Sequence, residues 1–172
     1  IILPNNRNTE SSITQETIHS IEAFLYREAG LLDKKLFDDW FDLYTHDACY
    51  WIPLRPEQSQ RDKELSIISD DIDMIRARIH WLKHPKNHAQ ALPSRTMHYI
   101  SNVLVDNFDE NKQEYLISSV LQVIEFREDK QTIYAGSCEH LLRLCQKEMK
   151  IASKRIDLIN SEGFLNSISI PL

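Results

Sequence analysis

Glycine is scarce in this chain. Gly30, Gly136 and Gly163 are the only three in 172 residues, and they stand far apart. A Gly-rich phosphate loop is therefore excluded, and so is a Gly-x-Ser-x-Gly nucleophile elbow. Cysteine is as rare: Cys49, Cys138 and Cys145 are too few, and odd in number, for a disulfide framework. Reduced thiols suit a cytoplasmic protein. Positive charge is not in surplus either. Lys and Arg number 20 against 26 Asp and Glu, a formal net charge of −6. That leaves no basic footprint for nucleic acid or anionic lipid. No apolar run is long enough to cross a bilayer. The opening "IILPNNRNTESS" lacks the charged and apolar regions of a signal peptide, so none is expected there.

What remains is an ordinary globular composition, 42% hydrophobic and 27% charged. The length supports one domain with a real core. Residues 1–13 read as an arm and 14–172 as a single domain. Ser12 and Gln15 have capping-box spacing, and Ile18, Ile21, Leu25 and Leu32 recur at helical spacing. The pattern predicts a helix over about 14–29, with Gly30 as its stop. Asp33 is placed to cap a second helix with Leu36, Phe37, Trp40, Leu43 and Tyr44 on one face. "ACYWIPL" (48–54) reads as a short strand ended by prolines. A third helix starts near Asp71, with Ile72, Ile75, Ile79 and Leu82 on its buried side.

After residue 94 the period changes from 3.6 to 2. Segments 95–108, 114–128, 132–146 and 149–160 read as four strands joined by short turns, hence as an antiparallel meander. In the second of them Tyr115, Ile117, Leu121 and Val123 share one face. Leu116, Val120, Ile124 and Phe126 share the other. Apolar residues on both sides predict a sheet covered on both faces, one by its own helices and one by another subunit. Helices first and a meander after is an α+β pattern.

Three groups could carry chemistry. Cys138 and His140 form a Cys-x-His pair, half the ligand set of a Rieske centre. Cys145, however, is an odd number of residues away and faces the opposite side of the strand, and Glu148 stands where a histidine is needed. They read as ordinary strand residues. His80, His84 and His88 repeat every four residues, but Pro85 breaks the helix that would align them, so they read as a solvated helix end. Asp47, Tyr50, Trp51 and His98 could line an acid–base pocket. The plainer reading makes Tyr50 and Trp51 core aromatics and His98 a hydrogen-bonded strand residue.

The segment "FLYREAGLLDKKLFDDWFDLYTHDACYWIPL" (24–54) resembles the opening of the small, or β, subunit of aromatic-ring-hydroxylating dioxygenases, the Rieske non-haem iron oxygenases. The matching residues are Phe24, Glu28, Ala29, Leu32 and Asp33, then Trp40 and Tyr44, then Tyr50, Trp51 and Pro53. "SIISDDIDMIRARIHWL" (66–82) resembles the family's middle helix. "PSRTMHYISNV" (93–103) is its most specific match. "YAGSCEHLLR" (134–143) and "KIASKRIDLI" (150–159) match more loosely. The chain departs from the usual pattern at Met97 and in "GSCEHLLR".

The resemblance implies a cone-shaped α+β fold like that of nuclear transport factor 2 and scytalone dehydratase. It implies three large and three small subunits per assembly. The Rieske [2Fe-2S] cluster and the mononuclear non-haem iron would lie in the large subunit, fed with electrons through a ferredoxin or reductase. This chain would carry no catalytic, cofactor or metal residue. Pro93, Ser94, Arg95, Thr96, His98, Ser101 and Asn102, with Tyr50 and Trp51, would hold the loop-to-strand junction and the subunit interface. A buried Arg95 would then need an acidic or carbonyl partner. The alternatives are a stand-alone cone-fold dehydratase or isomerase using a Tyr/His/Asp pocket, or a cone-fold binding module.

Overall fold

The computed structural model describes residues 13–84, 93–163 and 168–172. The elements are α1 (Gln15–Asp33), α2 (Phe37–Phe41), β1 (Tyr44–Pro53), β2 (Ser66–Asp71), α3 (Ile72–Lys83), β3 (Arg95–Asp109), β4 (Glu114–Arg127), β5 (Lys130–Cys145) and β6 (Glu148–Leu158). They build one six-stranded sheet in the order β2-β1-β6-β5-β4-β3. Only β1 with β6 is parallel; the other four pairings are antiparallel. Bulges in β1, β3 and β5–β6 bend the sheet. α1 packs across β3 and α3 against β1, so the sheet curls around its helices as a cone.

Local chemistry explains the element ends. The N-cap of α1 is Thr14, whose hydroxyl accepts from the Thr17 amide at 3.1 Å. Ser12, the expected cap, lies outside the described residues, as do the rest of 1–12 and His88. Gly30 does not stop α1, which runs on for three residues because Leu32 gains burial in the core. The stop is a Schellman motif: Lys35 N–H donates to Leu32 O and Leu36 N–H to Leu31 O. Lys35 takes the left-handed position (φ 57°) usually given to glycine. α2 is a single turn whose N-cap position is Leu36, so it has no side-chain cap; Asp33, the expected cap, bonds Thr96 and His98 instead. Tyr44 already belongs to β1.

The third helix starts at Asp71, whose carboxylate accepts from the Met74 amide. It buries Ile75 and Ile79 and ends before His84, which is extended as a residue before proline must be. Its upstream neighbour, "SIISD", is not part of the helix but strand β2, paired with β1. The adjacent β-branched pair Ile67–Ile68 favours the strand.

The inner face of β4 buries Tyr115, Ile117, Leu121 and Val123 as its alternation requires. The described residues of this chain leave the outer face uncovered. Val120 is 42% exposed, Met97 52%, Tyr99 50%, Ile133 51% and Leu104 61%. Met97, Ile124 and Ile133 stand side by side across β3, β4 and β5.

With so few glycines, the hairpins use other residues at positive φ. Glu128–Asp129 and Gln146–Lys147 both have the paired left-handed residues of type I′ turns. Replacing Gln146–Lys147 by Asn–Gly should stabilise the protein by about 1 kcal/mol, read as a higher urea midpoint at unchanged slope. Gly136 has a different role: a Cβ there would lie 2.2 Å from the backbone oxygen of Asp157 on β6. Gly136→Ala must force the two strands apart and should cost about 1–3 kcal/mol in the same assay.

Candidate functional site

The interior of the cone is occupied by charge. Glu28 on α1 is fully buried and gathers three partners. Its Oε1 accepts from Lys154 Nζ at 2.7 Å and from Trp40 Nε1 at 3.1 Å. Its Oε2 lies 3.0 Å from His140 Nε2, and the other ring nitrogen of His140 meets Cys138 Sγ at 3.6 Å. Four elements, α1, α2, β5 and β6, are thus tied at one carboxylate. Burial alone would raise its pKa, but Lys154 and His140 outweigh that and hold Glu28 well below the usual carboxylate range. Burial pulls His140 down, while Cys138 and Glu28 push it up, to a net value of about 9. Lys154 loses to burial and gains from Glu28, with a net rise.

Aromatic rings wall this cluster. Trp40 meets Tyr44 and Tyr50 edge-on, at 5.2 and 6.4 Å between centroids. The Tyr44 hydroxyl is buried with no hydrogen-bond partner among the described residues. Burial, reinforced by Glu28, keeps it protonated. Tyr50 is pushed up to about 12 by burial, and its hydroxyl accepts from the Leu172 amide at 3.2 Å. Residues 170–172 therefore close the cone from its open end, with Ile170 and Leu172 buried.

The block 93–102 splits by strand parity. Ser94, Thr96 and His98 face inward. Ser94 Oγ donates to Glu125, which also accepts from Tyr134. Asp33 at the end of α1 accepts from Thr96 Oγ1 (3.0 Å), the His98 amide (3.1 Å) and His98 Nδ1 (2.6 Å). Burial lowers the His98 pKa more than Asp33 raises it. His98 Nε2 lies 3.3 Å from Pro171 O, so Asp33, His98 and the chain's last residues form one junction. Pro93, Arg95, Ser101 and Asn102 are exposed. Arg95 is not a buried cation: its guanidinium stacks on Phe126 at 4.9 Å. Asn102 has φ 52° at the β3 bulge.

The four residues of the acid–base pocket reading do not converge. Asp47 is exposed and pairs with Arg143 at 2.9 Å. Trp51 donates to Ser66 and lies under Arg155. Tyr50 and His98 touch neighbouring residues of the closing segment but are both committed to it.

The Cys-x-His pair does not fit an iron–sulfur cluster. Both nitrogens of His140 face protein groups, and Cys138 is 1% exposed. Cys145 lies at the far end of β5 with the opposite parity. His80 and His84 stand 6.1 Å apart by ring centroid, with His84 stacked on Trp81 instead. No group of three or more His, Cys, Asp or Glu is placed to hold a metal among the described residues.

Sequence reasoning missed the roles of Glu28 and Lys154, though two signals pointed to them. Lys154 shares its strand parity with Ile156 and Leu158. Glu28 continues the Ile21, Leu25, Leu32 stripe of α1. A charge on an apolar face needs a partner.

The cluster sets a pH dependence. Glu28, with a lowered pKa, adds stability that is fully present above its ordinary value of 4.5 and is lost as pH falls. His140, with a raised pKa, adds stability fully present below 6.5 that is lost as pH rises through about 9. Glu28→Gln strands the Lys154 ammonium and should cost about 3–5 kcal/mol near neutrality. Urea unfolding across the pH range should also show a flatter acid limb in that variant.

Known proteins match this architecture. The family model described as "Ring hydroxylating beta subunit" matches residues 27–162. The biphenyl 2,3-dioxygenase subunit beta of Rhodococcus jostii (strain RHA1) is 33% identical over 159 residues, covering 87% of this chain and 84% of that one. The small oxygenase component of the p-cumate 2,3-dioxygenase system of Pseudomonas putida is 29% identical, covering 89% and 83%. Among solved structures, the beta subunit of benzoate 1,2-dioxygenase from Burkholderia mallei ATCC 23344 has a TM-score of 0.73 at 28% identity, covering 93% and 99%. A scytalone dehydratase-like protein of Novosphingobium aromaticivorans shares the cone fold at a TM-score of 0.61 and 16% identity, covering 82% and 83%. The sealed interior, the order of the motifs and these likenesses agree: the chain belongs to the ring-hydroxylating β-subunit family and is the small subunit of an aromatic-ring-hydroxylating dioxygenase.

Proposed function

We propose that the chain is the supporting subunit of an oxygenase of three large and three small subunits in the cytoplasm. The large subunit carries the Rieske cluster and the mononuclear iron, with electrons arriving from NAD(P)H through a reductase or ferredoxin. The whole assembly adds both atoms of O₂ to an aromatic ring, giving a cis-dihydrodiol. This chain contributes surface and rigidity.

One observation carries this division of labour. The cone interior, where a stand-alone dehydratase or isomerase would need an open acid–base site, is filled by a charge cluster whose ionic groups are all paired. The outer face of β3, β4 and β5 meanwhile bares Met97, Tyr99, Leu104, Val120 and Ile133. Contiguous apolar surface of this kind marks an interaction site. Arg95, Ser101 and Asn102 share that exposed region and are assigned to the interface. Ser94, Thr96 and His98, with Pro93 at the junction and Tyr50 and Trp51 behind it, set the shape of the strand that presents it.

The test is co-expression with the large subunit. The unaltered pair should run as a six-chain particle in analytical ultracentrifugation. Ile133→Lys, and to a lesser degree Arg95→Ala, should reduce co-assembly while the isolated chain keeps its unfolding midpoint. An intact particle in both variants would remove the outer face from the interface.

A further inference from the structure

The cone is sealed at its centre but not at its mouth. A cavity of about 450 Å³ opens between the ends of α1 and α3, the start of β3 and the closing segment. Its walls are Leu32, Phe37, Leu82 and Ile170, with Pro93 and Pro171 beside them. The polar groups on its floor, Ser94, Thr96 and His98, already bond to Glu125, Asp33 and Pro171. They offer a ligand shape more than new hydrogen bonds.

Two lysines stand at the mouth. Lys35 and Lys83 line it, and no Asp or Glu does so among the described residues, although the chain's net charge is −6. Lys83 is shared with Asp38 at 2.5 Å. Lys35 has no ion-pair partner among the described residues. Its backbone is left-handed (φ 57°), as glycine would allow. Lys35 thus stands at the rim of an apolar cavity as a cation without an ion-pair partner among the described residues.

We propose that this cavity binds a small apolar molecule bearing one carboxylate, such as a single aromatic ring with its acid group, with the ring against Leu32, Phe37 and Leu82 and the carboxylate toward Lys35. The volume lies in the range of small-molecule sites and admits one substituted ring with room to spare. The chain thereby has a ligand function of its own, separate from the iron centres of the assembly.

The test uses the full chain purified alone, so the large subunit's own aromatic site cannot contribute. Binding of 4-fluorobenzoate and of its neutral counterpart, 4-fluorobenzyl alcohol, is followed by fluorine NMR up to millimolar ligand. The acid should bind saturably and more tightly than the alcohol. Lys35→Gly, which suits the left-handed backbone and keeps the fold, should weaken the acid about threefold and leave the alcohol unchanged. Leu82→Trp, at a half-exposed position, should fill the cavity and abolish binding of both. No saturable binding, an alcohol that binds as well as the acid, or acid binding indifferent to either substitution would overturn the proposal.

Discussion

The Glu28 carboxylate is the constraint around which this fold is arranged. It joins α1 to Trp40 of α2, to His140 of β5 and to Lys154 of β6. A buried ion pair seldom adds much stability over apolar packing, yet removing one partner is costly because the other is left unpaired. Such a cluster therefore acts as a registry device. The helix can dock in the cone in one way only, because any other position strands a charge. The same residues decide the chemistry of the interior. A cone-fold enzyme needs an open, polar cavity there. Here Glu28, Lys154 and His140 point at one another, and the rings of Trp40, Tyr44 and Tyr50 wall them in.

A second joint depends on the first. With α1 fixed by Glu28, its last residue, Asp33, falls beside the start of β3 and receives Thr96 and His98. His98 in turn lies against Pro171, and Leu172 is held by Tyr50. The segment matched most specifically in the sequence, 93–103, is thus the place where helix, strand and closing segment meet. Its alternate residues face outward with the uncovered apolar surface. Internal anchoring and external display share one strand.

Much of this was legible in the sequence. The four β-strands from Arg95 onward follow from period-2 patterning, and α3 follows from Asp71 and its apolar spacing. The rejection of Cys138 and His140 as cluster ligands follows from strand parity and a missing histidine. Other features were hidden for physical reasons. β2 gives no signal of its own because "SIISD" is too short for its period to show, and the resemblance alone places 66–82 in one helix. Asp33 looked like a cap because capping is a local rule, and its actual partners lie more than sixty residues away. Gly30 looked like a stop, but tertiary burial of Leu32 outweighed the local cost of a helical glycine. The outer face of β4 read as covered because its residues are apolar. No described residue of this chain covers it.

The most direct test of the account is a double-mutant cycle on the buried pair: Glu28→Gln, Lys154→Met and the double variant, measured by urea unfolding near neutral pH. If the cluster ties the cone together, each single change is severely destabilising, and the double costs far less than their sum, with a coupling above about 1 kcal/mol. If the costs simply add to within about 0.5 kcal/mol, the two groups act independently and the cluster is not what fixes the fold.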